Sequence, residues 1–408
     1  MKQLKEILWM SISIPYDGVD HAGGKTHNFY IKKIHESKDF RVKLISFCEK
    51  REFGKDDLEQ YHIDADICYI DRNIKSIICK KLWNIESTLN PFTQYANAMS
   101  NYRVYECLRR IRKLHRKGYK PDVVILQWTP LALLQKKIKR YFPDSKYIAI
   151  EEDVMFQNYE RRYLLEDFLI LKYFYKKRFE ILKKKELLSL KEVDLIYVNN
   201  NKDYSLLKKN DINSSQIRIL VPYYDHYFNV RREINSQYKD ILFYGAMSRK
   251  ENYTSAIWFI NNVFCKIKDP TVRFVIIGSH PHESLKKLQD ERIIVTGFVK
   301  NVSIYFTKCI CMVVPLFLGA GIKIKVLEGF SAGVPILTNN VGMEGIGGSA
   351  GKEYFHCESP QDYIDTINQI ISDEQSAWKI GENGRKFVKE RFDYYEYAKI
   401  MVKNLREI

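Results

Sequence analysis

The chain has 408 residues, 45% of them hydrophobic, and a formal net charge of +16. That length exceeds the roughly 250 to 300 residues at which a single core stops growing, so two domains are expected, with enough apolar residues to fill both. No apolar run approaches the roughly 18 residues that span a bilayer, and the eight cysteines are scattered without a C-x-x-C pair, which speaks against a disulfide scaffold or a thiolate metal site. The opening MKQLKEILWMSISIP carries Glu6 inside its short apolar stretch and lacks a small-residue cleavage site, so a cytoplasmic protein with reduced thiols is expected. The positive balance favours an acidic partner, whether nucleic acid, anionic lipid or phosphorylated substrate.

In chain order, Ile7 to Ile14 reads as a buried strand, and Tyr16 to Lys25 as a loop containing Gly18, Gly23 and Gly24 ahead of a helical pattern from Thr26 to Ser37. Strand, glycine loop and helix in that order make a phosphate- or sugar-facing edge of a parallel sheet, with Gly23 and Gly24 as candidate binding positions. Val42 to Phe47 is a second strand. Leu89 to Met99, with Pro91, is placed near the ligand edge without an anchor. Tyr102 to Lys117 reads as an amphipathic helix, then Asp122 to Gln127 and Lys146 to Ile150 as strands, the latter running into Glu151, Glu152 and Asp153. Carboxylates at the end of a parallel strand stand on the edge where doubly wound sheets bind ligands, although they can equally cap the next helix.

From Arg161 to Lys191 ten basic residues face four acidic ones, interleaved with Tyr163, Phe168, Tyr173, Phe174, Tyr175 and Phe179. Such a helix suits an anionic membrane surface, or is a solvated helix with its aromatics turned inward. Val193 to Asn199 and Ile217 to Val221 are further strands, and the polar stretch 226–240 reads as a linker. Asp240 to Gly245 then repeats the opening pattern, with a polar loop from Met247 to Asn252 and a helix from Thr254 to Phe264. Strands follow at Arg273 to Gly278, Ile293 to Thr296, Cys309 to Val314 and Val334 to Thr338, and Ser376 to Ile408 is helical. Two such openings argue for two doubly wound α/β domains rather than one large sheet.

The densest chemistry lies between Gly319 and Glu344, GAGIKIKVLEGFSAGVPILTNNVGME. Gly319 and Gly321 supply a permissive backbone, and from about Ile322 the spacing of Ile324, Leu327 and Ser331 is helical. Lys325 and Glu328, three apart, share another face. Free backbone N–H groups, a positive helix end, a lysine and a carboxylate within about one turn suit a phosphate-bearing ligand with a sugar hydroxyl nearby. Lys323 and Lys325 point in nearly opposite directions on a helix, so both reach one diphosphate only if Lys323 still belongs to the turn.

This stretch resembles the donor-binding signature of retaining family 4 glycosyltransferases, in the subgroup reading G-x-G-x-K-x-K-x-L-E, here followed by A-G-V-P and G-M-E-G. The resemblance implies the GT-B fold: two facing Rossmann-like domains with a cleft between them, 1–225 binding acceptor and 241–390 binding donor. It also implies a linker at 226–240 and a helix, 391–408, crossing back to the first domain. It implies transfer of a sugar from a nucleoside-diphosphate sugar to a saccharide or lipid-linked acceptor. Glu328 takes the place of the glutamate that holds the nucleotide ribose, while the family's first glutamate falls at Ala320 and is missing. Its role would pass to backbone amides of the Gly319 to Gly321 loop. Donor-binding candidates are thus Gly23, Gly24, Gly245, Arg249, Lys250, Gly319, Ala320, Gly321, Lys323, Lys325, Glu328, Gly342 and Glu344. Arg249 and Lys250 match the basic residues that meet the diphosphate, and Glu152 and Asp153 stand where a polar pair lies near the acceptor. The catalytic candidates are Lys325, Glu328, Glu152 and Asp153.

A leaving diphosphate needs its growing charge neutralised, by a metal or by lysine and helix N-terminus. Asp64 and Asp66 have the letters of a D-x-D metal site but lie far from the signature, so no metal and no other cofactor is expected. Nor is nucleic acid, since the basic residues spread over helices without a reader motif. The alternatives are a sugar epimerase on the same fold and a non-catalytic partner subunit, for which Ala320 is the hint. A cytoplasmic protein is expected, with 161–191 as the stretch by which it would lie peripherally on the inner face of the plasma membrane.

Overall fold

The computed structural model describes residues 4–70, 74–92, 99–233, 237–319 and 321–408. Its chain divides into two compact units, Met1–Tyr223 with Tyr394–Ile408, and Tyr224–Asp393. The stretch 226–240 thus falls in the second unit and the end of the chain in the first. Position 320 and residues 93–98, on which the Ala320 and Leu89 to Met99 readings fall, and 234–236 lie outside the described residues.

The first unit opens with β1 (Lys5–Met10), α1 (Ala22–Glu36), β2 (Phe40–Cys48), β3 (Asp64–Tyr69), α2 (Ile74–Leu89) and α3 (Asn101–Arg116). It continues with β4 (Val123–Gln127), the short α4 (Thr129–Ala132) and α5 (Gln135–Lys139), then β5 (Lys146–Glu151). The helices α6 (Met155–Leu165) and α7 (Leu169–Leu190), then β6 (Leu195–Val198), α8 (Asn201–Lys209) and β7 (Ile217–Ile219) complete the sheet. All pairings are parallel, in the order β3-β2-β1-β4-β5-β6-β7. Covered on both faces, the central strands are apolar throughout: Ile7 to Met10 and Val123 to Leu126 are buried.

Helix α1 starts earlier than its apolar period suggests. His21 caps it by accepting the Gly24 N–H at 2.9 Å, so Gly23 and Gly24 lie in the first helical turn and not in a loop. The first strand also stops at Met10, where Ser11 turns its hydroxyl to Ser46, 2.8 Å away. The terminal helix, Tyr394–Glu407, joins this unit through Phe29, whose ring meets those of Tyr394 and Tyr395, and through Asn404, which donates to the Tyr197 hydroxyl at 3.1 Å.

The second unit holds β8 (Lys239–Tyr244), α9 (Lys250–Asn262), β9 (Val272–Ile277), α10 (Glu283–Lys286), β10 (Ile293–Gly297) and α11 (Ser303–Lys308). Then come β11 (Cys309–Val314), α12 (Ile324–Ser331), β12 (Ile336–Thr338), β13 (Phe355–His356), α13 (Pro360–Ser372) and α14 (Glu374–Arg391). The chain ends in the first unit with α15 (Tyr394–Glu407). The second sheet is again parallel, ordered β10-β9-β8-β11-β12-β13. Helix α12 lies close on this sheet because Gly329 has no side chain: a Cβ there would come 2.7 Å from both Met312 and Ile336. Residues 226–233 are tied into the unit, the Tyr227 N–H donating to the Ser331 hydroxyl at 2.8 Å.

Candidate functional site

In the second sheet the strand order reverses between β8 and β11, the position at which doubly wound sheets bind ligands beyond their carboxyl ends. Gly245 follows β8 at φ 153°, and a Cβ on it would come 2.8 Å from the Lys325 ammonium. Gly278, after β9, leaves room for the Gly245 carbonyl, which occupies the place of its missing Cβ. The two glycines bring backbone against backbone beneath the lysine.

Lys325 sits in the first turn of α12. Its ammonium donates to Asn252 Oδ1 at 2.7 Å and stands 4.8 Å from the centre of the Phe243 ring, while Asn252 Nδ2 donates to the Ala246 carbonyl at 2.9 Å. Burial pushes its pKa down to about 7; Glu251 opposes the shift, and the charges of Lys323 and Arg249 add to it. The side chain keeps a partly open surface while the ammonium is enclosed, an arrangement in which an incoming anion restores the full charge.

Lys323 is the N-cap of α12, with φ −88° and ψ 93°, so it belongs to the turn as the convergence of the two lysines requires. Its buried ammonium donates to the Gly321 carbonyl at 2.6 Å and lies 3.8 Å from a Glu344 carboxylate oxygen. Gly319 and Gly321 have φ of 126° and 71°, conformations that side chains resist. Glu328 is buried one turn into α12. The loop after β12 is fixed to the loop after β11 by Asn339, which donates to the Leu316 carbonyl at 2.7 Å and accepts the Gly342 N–H at 3.0 Å. Gly342 is small because the Thr338 hydroxyl, bonded to the Val314 carbonyl at 2.7 Å, fills the place of a Cβ. Its small size is thus set by packing against Thr338.

The remaining candidates divide. Arg249 is exposed beside Glu251, at 3.3 Å, and acts on Lys325 through its charge; Lys250 is exposed at the start of α9. Asn252, Asn339, Thr338 and Gly278 escape a reading from sequence, because each matters through a residue distant along the chain.

The first unit gathers carboxylates at the corresponding end of its sheet. Glu152 accepts from Gln127 Nε2 at 3.0 Å, and its carboxylate occupies the place of a Cβ on Gly23, at the positive end of α1. Burial pushes the Glu152 carboxyl up to about 8; the Trp128 and Gln127 hydrogen bonds oppose this and the Asp153 charge adds to it. Gly24 serves the His21 cap through its N–H. Glu151 and Glu186 are fully buried, both joined to the Thr129 hydroxyl, and burial raises both pKa values, each further raised by neighbouring carboxylates. The start of α6 is held by Glu186, which accepts the N–H groups of Met155 and Phe156 at 2.9 and 3.0 Å. Trp128, with φ 72°, turns its ring edge-on to buried His27, centroids 5.8 Å apart; burial pushes that imidazole down to about 3.

Asp64 pairs with Lys43, and Asp66 with Arg110 at 3.0 Å. Among the described residues no group of three or more His, Cys, Asp or Glu is placed to hold a metal ion.

Two parallel-sheet Rossmann-like domains of this kind define the GT-B fold. Residues 238–373, which contain every second-unit site residue named above, match the family described as Glycosyl transferases group 1. Over 166 residues the chain is 22% identical to an "Uncharacterized 44.6 kDa protein in cps region" of Klebsiella pneumoniae, covering 38% of this chain and 42% of that one. The match therefore spans about two fifths of that curated relative. Among solved structures, Anabaena Alr3699/HepE in complex with UDP superposes with a TM-score of 0.68 at 11% identity, covering 99% of this chain and 100% of that one. Sucrose-phosphate synthase from Thermosynechococcus elongatus gives 0.69 at 12%, covering 99% and 98%. The lipopolysaccharide outer core galactosyltransferase WaaB gives 0.61 at 12%, covering 99% and 100%. At these identities the likeness is one of fold.

Proposed function

We propose that the protein is a retaining glycosyltransferase that moves a hexose or related sugar from a nucleoside-diphosphate sugar to a saccharide or lipid-linked acceptor, in surface polysaccharide or glycoconjugate synthesis. The observation that carries this reading is the Lys323 and Lys325 pair at the switch point, one in the turn and one in the first turn of α12, with buried Glu328 on the same helix. Structures of the same fold hold UDP and UDP-glucose in HepE, which supports a nucleotide-sugar donor here. The two ammoniums and the amino end of α12 would take up charge as the bond from the anomeric carbon to the diphosphate breaks, its electrons passing to the departing oxygen. The acceptor hydroxyl would enter on the same face and give its proton to the leaving phosphate. Glu328 would hold the ribose hydroxyls, and Glu152 with Asp153 would meet the acceptor. No metal is invoked. Cytoplasmic location and contact of 161–191 with an anionic membrane complete the reading.

The test is a thermal-shift screen of uridine, guanosine, adenosine and thymidine diphosphates, followed by nucleotide release from the matching sugar donor. One diphosphate should stabilise the protein, and Glu328→Ala should weaken its binding by roughly ten- to a hundred-fold, the worth of about 1.5 to 3 kcal/mol for a charge-assisted hydrogen bond. Absence of binding to all four, together with release unchanged by Lys325→Ala and Glu328→Ala, would refute the reading.

A further inference from the structure

Helix α2 carries Ile74, Ile78, Leu82, Ile85 and Leu89 at spacings of four, four, three and four, one stripe of a helix. That stripe faces water: Ile74, Leu82 and Leu89 are 76%, 61% and 74% exposed. A second apolar group lies at the turn between α6 and α7, where Leu164, Leu165, Phe168, Leu169 and Ile170 are all exposed, Leu169 by 78%. The end of α2 is tied to α7 through Arg178, whose guanidinium donates to the Ser87 carbonyl and, at 3.0 Å, to the Asn90 carbonyl. Exposed apolar groups of this size, one on α2 and one at the α6–α7 turn, mark a contact with something else.

The charge around it selects the partner. Ten Lys and Arg stand against four acidic residues between Arg161 and Lys191, and Lys81 borders the α2 stripe. A second copy seated on this face would bring cation against cation. An anionic bilayer supplies both the apolar phase and the counter-charge. The cations lie over aromatic rings, Lys176 on Tyr163 at 5.9 Å and Lys177 on Tyr173 at 5.7 Å, an arrangement of rings and charges suited to headgroup depth. Among the described residues no helix is long and apolar enough to cross a membrane, so a bilayer would be met by these segments in its interface plane.

We propose that α2 and the α6–α7 turn form one membrane-inserting surface for anionic phospholipid, with the apolar side chains entering the acyl boundary and the lysines remaining at the phosphates. The proposal deepens the membrane contact of the proposed function, adding insertion to electrostatic contact and α2 to 161–191, and rests on no property of the donor site.

The experiment is co-flotation of the full chain with phosphatidylcholine vesicles, with and without about a third phosphatidylglycerol. Binding is expected only to the anionic vesicles. The Leu169→Asp/Ile170→Asp and Ile78→Ser/Leu82→Ser variants should each weaken it at least ten-fold, and Lys172→Ala/Lys176→Ala about five-fold per lysine removed. An unchanged circular-dichroism spectrum and melting temperature would certify that each variant is folded. Binding that responds to the lysines and not to the apolar variants would overturn insertion while leaving electrostatic contact standing. Equal or absent binding to both vesicle types would overturn both, as would self-association abolished by Ile78→Ser/Leu82→Ser without vesicle binding. None of these outcomes bears on nucleotide binding, so failure here and failure of the donor reading are separately visible.

Discussion

Burial leaves the Lys325 ammonium with its pKa pushed down to about 7, so an anion that settles beside it raises that value and draws in a proton. Titration calorimetry of the nucleoside diphosphate at pH 8 in two buffers of different ionisation enthalpy should therefore show proton uptake. Lys325→Met should abolish the uptake and slow nucleotide release by about a hundred- to a thousand-fold, the usual worth of one transition-state charge contact. Uptake that persists in Lys325→Met would assign the titration to another group. Gly278 makes a different demand, since the Gly245 carbonyl stands where its Cβ would be. Gly278→Ala must push the backbone just beyond the end of β8 aside, at a cost of about 1 to 3 kcal/mol, and should lower the melting temperature and the nucleotide affinity together.

At the scale of elements, α6 begins on a carboxyl group borrowed from α7, and that carboxyl shares the Thr129 hydroxyl with Glu151 on β5. Both carboxyls have folded-state pKa values raised above the ordinary glutamate range. An acid raised in this way stabilises the fold fully below its unfolded pKa and loses that contribution as pH rises through the folded value. His27, pushed down to about 3, has the opposite sign, but its contribution is complete above the ordinary histidine value of 6.5. Between about pH 6.5 and 8 the glutamates thus act alone of these two terms in the first unit. Relative to Glu151→Gln, the urea midpoint of the wild-type protein should fall across that window, a difference that leaves out the opposite-signed Lys325 term common to both. Parallel pH profiles for the two proteins would contradict the assignment.

At the scale of the molecule, each unit has its own parallel sheet and its own switch point, and the paired lysines belong to the second alone. Saturating nucleoside diphosphate, at about a hundred times its dissociation constant, should stabilise the unit that holds it by about 2.7 kcal/mol. Hydrogen exchange should show protection at 245–252, 315–319, 321–325 and 339–346. Protection centred on the glycine and carboxylate edge of the first unit instead would move the donor site there.

Much of this architecture was legible beforehand because it is local. Runs such as Ile310 to Val314 are apolar throughout, as strands covered on both faces must be, and the order of glycines, lysines and glutamate from Gly319 to Glu328 carries its own turn and helix. The positions of Gly23, Gly24 and the start of α1 were not legible, since the His21 cap replaces the apolar signal that marks most helix starts. Nor was the stripe on α2: its spacing describes a helix, but a buried helix has the same spacing, and only tertiary structure leaves it facing water. By itself the sequence determined two doubly wound α/β units and an anion-seeking turn, because hydrophobic period and backbone permissiveness act between neighbours in the chain. Tertiary structure alone decided that Lys325 meets Asn252, that Glu152 fills the space at Gly23 and that Glu186 caps α6. Those partners are brought together by sheet order, and the strength of a charge depends on what has been packed around it.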